Sequence, residues 1–132
     1  MMRATARRRH GKLEHDLQVR DHRLKSDEPP AHGGDDAGPN PQELLAASLA
    51  SCSAITMEMY AERKGWDIGE VVVDVNYEPA QRGSPTKFEM VVQLPKELPE
   101  DQREKLMQIA ARCPVHRTLE GEVMFDERLE VH

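Results

Sequence analysis

Aromatic side chains and cysteines are both scarce in this sequence. Aromatics make up 4% of the 132 residues, so a core must be built mainly from Leu, Val, Met and Ala. Only two cysteines occur, Cys52 and Cys113, and they lie far apart in the chain. This usage excludes a disulfide-dense secreted scaffold and a CxxC redox or zinc motif. The reducing cytoplasm is therefore the expected compartment.

Positive charge is in deficit, because the formal net charge is −6. That balance argues against the broad basic face that duplex nucleic acid requires. A short basic run at residues 3–12 is the exception, but no apolar stretch follows it, so it is not a secretory signal. We predict a solvated basic tail over residues 1–11 and a single domain over residues 12–132. No apolar run approaches the length of a membrane span, so no membrane partner is expected.

The clearest local signals mark a long helix. Asn40 is placed as N-cap, Pro41 at the first helical position and Glu43 three residues after the cap, as in a capping box. Gly65 is suited to end the helix. Within it, apolar spacing predicts that Cys52 shares a face with three apolar side chains, Leu45, Leu49 and Met59.

The remaining pattern predicts strands and two further helices. Alternating apolar residues predict a hairpin at 12–25 and two half-buried strands at 71–77 and 86–94. The Pro- and Gly-rich stretch between the hairpin and the long helix is predicted as a surface loop. A second helix opens at Pro99, Cys113 lies near the N-cap of a third, and a last strand carries Val123, Phe125 and Leu129. This order predicts an α+β domain with an antiparallel sheet.

Two sequence blocks together resemble the signature regions of the OsmC/Ohr family of osmotically inducible and organic hydroperoxide resistance proteins. They are DEPPAHGGDDAGPNPQELLAASLASCSAITMEMYAERKGW and ARCPVHRTLEG. The resemblance covers roughly residues 20 to 131. It implies an OsmC-like fold of two intertwined subunits, a homodimer, with each active site at the interface. It also implies a role in oxidative or osmotic stress defence.

The same resemblance implies a thiol peroxidase that uses no cofactor or metal. Cys52 matches the cysteine that attacks organic hydroperoxides, and in some members hydrogen peroxide, while Cys113 matches the cysteine that closes a disulfide with it. A dithiol then reduces that disulfide. An arginine of the N-terminal hairpin, here Arg20 or Arg23, is expected to stabilise the Cys52 thiolate.

The sequence departs from well-characterised branches of the family at the glutamate that holds this arginine. Their glutamate lies ten residues before the cysteine, where this chain has Gln42, and Glu43 follows at nine. Glu43 is therefore a candidate both for the catalytic couple and for the capping box. The physics of the residues alone also leaves Cys113 open as the attacking thiol, because the start of a short helix lowers the pKa of a cysteine.

The sequence leaves two other functions open. One is a non-catalytic dimer that uses the same fold to bind a small apolar ligand or a partner. The other is nucleic-acid binding by the basic tail, which the net charge disfavours. The methionines, Met57, Met59, Met90 and Met107, are predicted either to line a pocket for an alkyl hydroperoxide or to pack in the core. His116, three residues after Cys113, is expected to pack or cap locally rather than to bind a metal.

Overall fold

A computed structural model describes residues 1–132 as a mixture of helices and antiparallel strands, which confirms the predicted α+β class. The strands and helices are β1 (Thr5–Arg8), β2 (His15–Val19), β3 (His22–Ser26), α1 (Pro41–Lys64), β4 (Val72–Glu78), β5 (Lys87–Gln93), α2 (Glu100–Ala110) and α3 (Pro114–Glu120). A single 3-10 turn, Pro30–His32, lies between β3 and α1. The chain divides into two compact units, residues 1–47 and 48–132, and the boundary falls inside α1.

The first unit contains a three-stranded antiparallel sheet in the order β1-β2-β3. The predicted hairpin is β2–β3, and Val19 pairs with His22 across its two-residue turn. The prediction of a tail over residues 1–11 is wrong at residues 5–8, because these form β1 and pair with β2. Every residue of β1 is exposed, so the strand lacks the apolar alternation by which a sequence reveals a strand.

The loop between β3 and α1 is organised around one buried carboxylate. Asp27 accepts hydrogen bonds from the backbone N–H groups of Glu28, Asp35 and Ala37, at 2.8, 3.2 and 3.0 Å. These bonds, with that from Ala37 the largest cause, hold the pKa of Asp27 below its ordinary value against the opposing effect of burial. A Cβ at Gly34 would lie 1.9 Å from the Glu28 carbonyl oxygen, so the loop needs glycine there.

Helix α1 has the predicted limits, and both ends carry the predicted signals. At its start, the Asn40 N–H donates to Glu43 Oε1 at 2.9 Å, and the Glu43 N–H donates to Asn40 Oδ1 at 2.8 Å. At its end, Gly65 adopts a φ of 71°. The N–H groups of Gly65 and Trp66 donate to the carbonyls of Glu62 and Ala61. This is the Schellman arrangement, which satisfies the last carbonyls of a helix.

One property of α1 differs from the sequence-based expectation. By length and composition alone, the helix is apolar enough to cross a membrane, and 22% of its most apolar window is buried. The central helix of a soluble domain meets the same criterion, so this observation alone does not assign α1 to a membrane.

The buried face of α1 also differs from the predicted one. Side chains spaced four apart, Leu49, Ser53, Met57 and Ala61, are buried, whereas Met59 is 55% exposed. Spacing by four keeps residues on one face of a helix, and small residues on that face let neighbouring elements approach. Met57 and Ala61 join the core of the second unit with four residues from later in the chain, Ile68, Leu98, Leu106 and Ala110.

Strands β4 and β5 pair in antiparallel register, with Val73 opposite Val92 and Tyr77 opposite Phe88. Their alternating burial confirms the predicted half-buried faces. The predicted final strand with Val123, Phe125 and Leu129 is wrong for this chain, because residues 121–132 contain no regular structure. A strand needs a partner for its backbone groups, and this segment pairs with neither sheet.

Candidate functional site

Cys113 occupies the N-cap of α3, as predicted, and its side chain is fully buried. Pro114 starts the helix with a pre-set φ and no N–H to satisfy. The Cys113 sulfur accepts the His116 backbone N–H at 3.3 Å. The thiol thus takes the position that Ser, Thr, Asp or Asn fills at most helix starts.

Cys52 lies against the same turn of helix. Its sulfur accepts the Val115 backbone N–H at 3.5 Å, so consecutive N–H groups of α3 point at the two sulfurs. Cys52 is only partly buried, in contrast to Cys113. Two cysteines distant in sequence therefore meet at one helix N-terminus, where unpaired N–H groups favour negative charge. The sequence predicted this environment for Cys113 and missed that Cys52 shares it.

Ser53 completes the cluster from the buried face of α1. Its hydroxyl oxygen lies 3.3 Å from the Ala110 carbonyl oxygen at the end of α2, and 3.6 Å from the Cys113 sulfur. The Ser53 side chain has no exposed surface. Sequence reasoning did not single out this serine, although its place midway between Leu49 and Met57, in steps of four, was a usable signal.

The thiol of Cys52 has a raised pKa in this reduced state. Burial of the sulfur is the largest cause, and the neighbouring Cys113 thiol raises the pKa further through hydrogen bonding and charge repulsion. The Val115 N–H and the Thr56 hydroxyl act in the opposite direction. The donors around Cys52 therefore do not by themselves produce a reactive thiolate at neutral pH.

The other predicted site residues belong to the first unit. Arg20 lies at the tip of the β2–β3 hairpin with a φ of 53°, and its carbonyl accepts a hydrogen bond from Gln18. Arg23 on β3 lines a shallow hollow with arginines of the N-terminal strand region. Gln42 is exposed in the first turn of α1, and Glu43 forms the capping box. Their roles in catalysis stay predictions.

His116 packs locally, since its Nδ1 lies against the Glu120 carboxylate one turn along α3. No group of three or more His, Cys, Asp or Glu side chains that could hold a metal ion occurs in residues 1–132. The predicted methionine pocket is not a single environment in this chain. Met57 is fully buried, Met90 is half-buried, and Met59 and Met107 are about half exposed.

A family model described as OsmC-like protein matches residues 33–128. This segment holds both cysteines and all three helices. The chain belongs to the OsmC-like protein family. The resemblance of the two signature blocks is thereby confirmed.

Solved structures show that the fold of this OsmC-like chain recurs at low sequence identity. An OsmC-like protein from Mycoplasma pneumoniae is 19% identical, with a TM-score of 0.72 over 92% of this chain and 88% of its own. The organic hydroperoxide resistance protein OhrB of Bacillus subtilis is 24% identical, with a TM-score of 0.61 over 92% and 91%. An organic hydroperoxide resistance protein from Elizabethkingia anophelis is 20% identical, with a TM-score of 0.68 over 92% and 89%. No curated protein is significantly similar in sequence.

Proposed function

We propose that this chain is a thiol-dependent peroxidase that reduces organic hydroperoxides with Cys52 and Cys113. The observation that carries the proposal is the meeting of the chain's two cysteines at the first turn of α3, each with a backbone N–H directed at its sulfur. Proteins with this fold are named for organic hydroperoxide resistance in Bacillus subtilis and Elizabethkingia anophelis, which supports this choice of substrate.

Burial supports distinct roles for the two thiols. A peroxide has to reach the sulfur that attacks it, and Cys52 retains exposed surface while Cys113 has none. Cys113 instead lies next to Cys52 without access to solvent, because the consecutive N–H groups of Val115 and His116 contact the two sulfurs. We therefore assign the attack on peroxide to Cys52 and the resolving role to Cys113, against the simpler expectation that the N-cap cysteine attacks.

The proposed reaction has three steps. The Cys52 thiolate attacks one peroxide oxygen, the O–O bond breaks, and the departing alkoxide takes a proton and leaves as the alcohol, so that Cys52 becomes a sulfenic acid. The Cys113 sulfur then attacks Cys52, the S–O bond breaks, and the hydroxide leaves as water with the proton that Cys113 loses. A dithiol reductant returns both cysteines to thiols by two exchange steps and is itself oxidised to a disulfide.

Activation of Cys52 requires a positive charge, because its pKa is raised in the reduced chain. We propose Arg20 or Arg23 as its source, as the family resemblance implies. A guanidinium beside the sulfur stabilises the thiolate, and its hydrogen bonds to the peroxide also stabilise the leaving alkoxide.

We further propose a cytoplasmic homodimer. Apolar side chains of the second unit are exposed on α1, among them Ile55 and Met59, and in the C-terminal segment, among them Phe125 and Leu129. Large exposed apolar side chains on neighbouring turns of one helix are typical of a surface that a partner covers. A single-chain mass in sedimentation experiments at micromolar concentration would contradict the dimer.

The test is a single-turnover reaction of the reduced protein with cumene hydroperoxide, followed by mapping of disulfides by mass spectrometry. We expect loss of one peroxide per chain and a Cys52–Cys113 linkage. Cys52→Ser should abolish peroxide loss. Cys113→Ser should still consume one peroxide and leave a sulfenic acid that a dione reagent traps on Cys52.

Two outcomes would overturn the proposal. The first is undiminished peroxide with no disulfide in the unsubstituted chain. The second is equal peroxide loss in the Cys52→Ser variant, which would show that Cys52 is not the thiol that attacks the peroxide. In the same assay, Arg20→Gln and Arg23→Gln compare the two arginines, since each substitution removes a charge and keeps a hydrogen-bonding side chain of moderate size.

A further inference from the structure

Ser53 is a buried polar group next to the redox pair that the reaction above does not use. Its hydroxyl is a single donor with two acceptors in reach, the Ala110 carbonyl at 3.3 Å and the Cys113 sulfur at 3.6 Å. A hydroxyl has one proton, so it donates to one of these acceptors at a time. The choice between them depends on the charge that each acceptor carries.

The charge on Cys113 changes during the proposed cycle. As a thiol the sulfur is a weak acceptor, and the Ala110 carbonyl is the better partner for the hydroxyl. When Cys113 loses its proton to attack Cys52, or leaves as a thiolate when the disulfide is reduced, its sulfur becomes a charged acceptor. Hydrogen bonds to charged groups are stronger than those between neutral groups.

We propose that Ser53 is a positioning residue. Its hydroxyl rotates from the Ala110 carbonyl to the Cys113 sulfur whenever that sulfur is negatively charged. This inference rests on the resolving role proposed for Cys113. The His116 N–H is fixed by the helix and bonds the sulfur in every state, whereas the serine O–H rotates about one bond. The fully buried thiolate would then have one permanent donor and one that follows its charge.

The exposure of the two sulfurs determines which one the dithiol attacks and which one leaves as a thiolate. A dithiol reaches the partly exposed Cys52 rather than the fully buried Cys113, so its thiolate bonds to the Cys52 sulfur and the S–S bond breaks. The electron pair of that bond goes to Cys113, which departs as the thiolate. A leaving thiolate that is better stabilised leaves faster. Ser53 would therefore assist the reduction, and also the resolving step at pH values below the ionisation of Cys113.

The first test measures the Cys113 thiolate directly, by the ultraviolet absorbance of Cys52→Ser chains titrated with base. Because Cys52 is then absent and every other ionisable side chain is the same in each variant, a difference between the titrations reports the substituted serine alone. Loss of a hydrogen bond to a charged group shifts the midpoint of that group's titration by about one pH unit. Ser53→Ala should therefore move the Cys113 transition up by about one unit, whereas the exposed neighbour Ser51→Ala should not move it.

The second test measures the rate of disulfide formation against pH after one equivalent of hydroperoxide, in chains that retain both cysteines. Below the transition, about tenfold less thiolate in Ser53→Ala is offset by about threefold higher intrinsic nucleophilicity, so resolution should slow by about threefold. Above the transition the variant should be the faster by about threefold. A merely structural lesion would slow the reaction at every pH and give no crossing of the two profiles.

The outcomes separate this inference from the peroxidase proposal. Coincident titrations and parallel pH profiles for Ser53→Ala and the unsubstituted chain would overturn the role of Ser53, even if peroxide is consumed normally. If the unsubstituted chain consumes no peroxide, the peroxidase proposal fails, while the shift in the Cys113 titration still decides whether Ser53 stabilises the thiolate. In that case diamide replaces the hydroperoxide as the oxidant, and the rate of disulfide formation is compared between the same two chains.

Discussion

Substitutions in the capping box of α1 can decide whether Glu43 acts in helix capping or in catalysis, since it is a candidate for both. Glu43→Gln keeps a side-chain oxygen that accepts the Asn40 N–H, and glutamine serves in this motif as glutamate does. Glu43→Ala removes the acceptor and the carboxylate together. Asn40→Ala removes the reciprocal bond to the Glu43 N–H without touching the carboxylate. The three variants therefore separate the cap from the charge.

The size of the effect follows from the two reciprocal bonds, at 2.9 and 2.8 Å. Loss of an N-cap side chain costs about 1 kcal/mol. The entropy of unfolding of a chain of this length is about 0.28 kcal/mol/K, so that loss lowers Tm by roughly 4 °C. We expect this decrease for Asn40→Ala, a similar or smaller one for Glu43→Ala, and a change within about 1 °C for Glu43→Gln.

The assay is thermal unfolding of the reduced proteins at one fixed concentration, since oligomers melt at temperatures that depend on concentration. Peroxide consumption is measured on the same samples. A Glu43→Gln protein that melts like the unsubstituted chain but loses activity would assign the carboxylate to catalysis. The reasoning on capping fails if Asn40→Ala melts with the unsubstituted chain, or if Glu43→Gln is as unstable as Glu43→Ala.

Two further predictions address the core and the reactive thiol. Leu106→Ala, at a fully buried position, should lower the free energy of unfolding by about 2–5 kcal/mol in urea titrations. Met107→Ala, at a 46% exposed position, should lower it by less than half as much, and equal losses would contradict the described core. In a variant that carries both Arg20→Gln and Arg23→Gln, and so lacks the proposed activating charge, alkylation of Cys52 by iodoacetamide should rise with pH to a midpoint above the ordinary value of 9.0, because burial and Cys113 raise its pKa. The sign for stability follows, because the unfolded chain releases this proton at lower pH than the folded chain. The reduced form of that variant should therefore lose stability above pH 9.0 relative to the same variant with Cys52→Ser, and a gain would refute the raised pKa.

Local signals predicted the elements well where one short segment carries all of the information. The limits of α1 follow from Asn40, Pro41 and Gly65, because caps act within a few residues of themselves. The same holds for the α3 start at Cys113 and Pro114. The C-terminal segment was predicted wrongly for the opposite reason. Its alternating pattern indicates an apolar face, but it gives no information on which strand would pair with it.

The site was predicted only in part, because its geometry depends on contacts between distant segments. The sequence indicated the two cysteines through the family blocks, yet no local pattern shows that Val115 donates to Cys52. Ser53 was missed for a related reason. A serine among small residues resembles a packing residue, and its two acceptors come from residues 57 and 60 positions away.

Under the proposed mechanism, the helix terminus and the arginine have different tasks. The N–H groups of α3 hold the two sulfurs close together, but burial and the second thiol still keep the pKa of Cys52 above its ordinary value. A buried pair of thiols resists double ionisation, because two negative charges in a medium of low dielectric repel strongly. Fixed dipoles can therefore set the geometry for disulfide formation, while the attack on peroxide at neutral pH requires a full positive charge. Under the proposed mechanism the hairpin arginine accordingly governs the first step, and the donors around Cys113 govern the steps that follow.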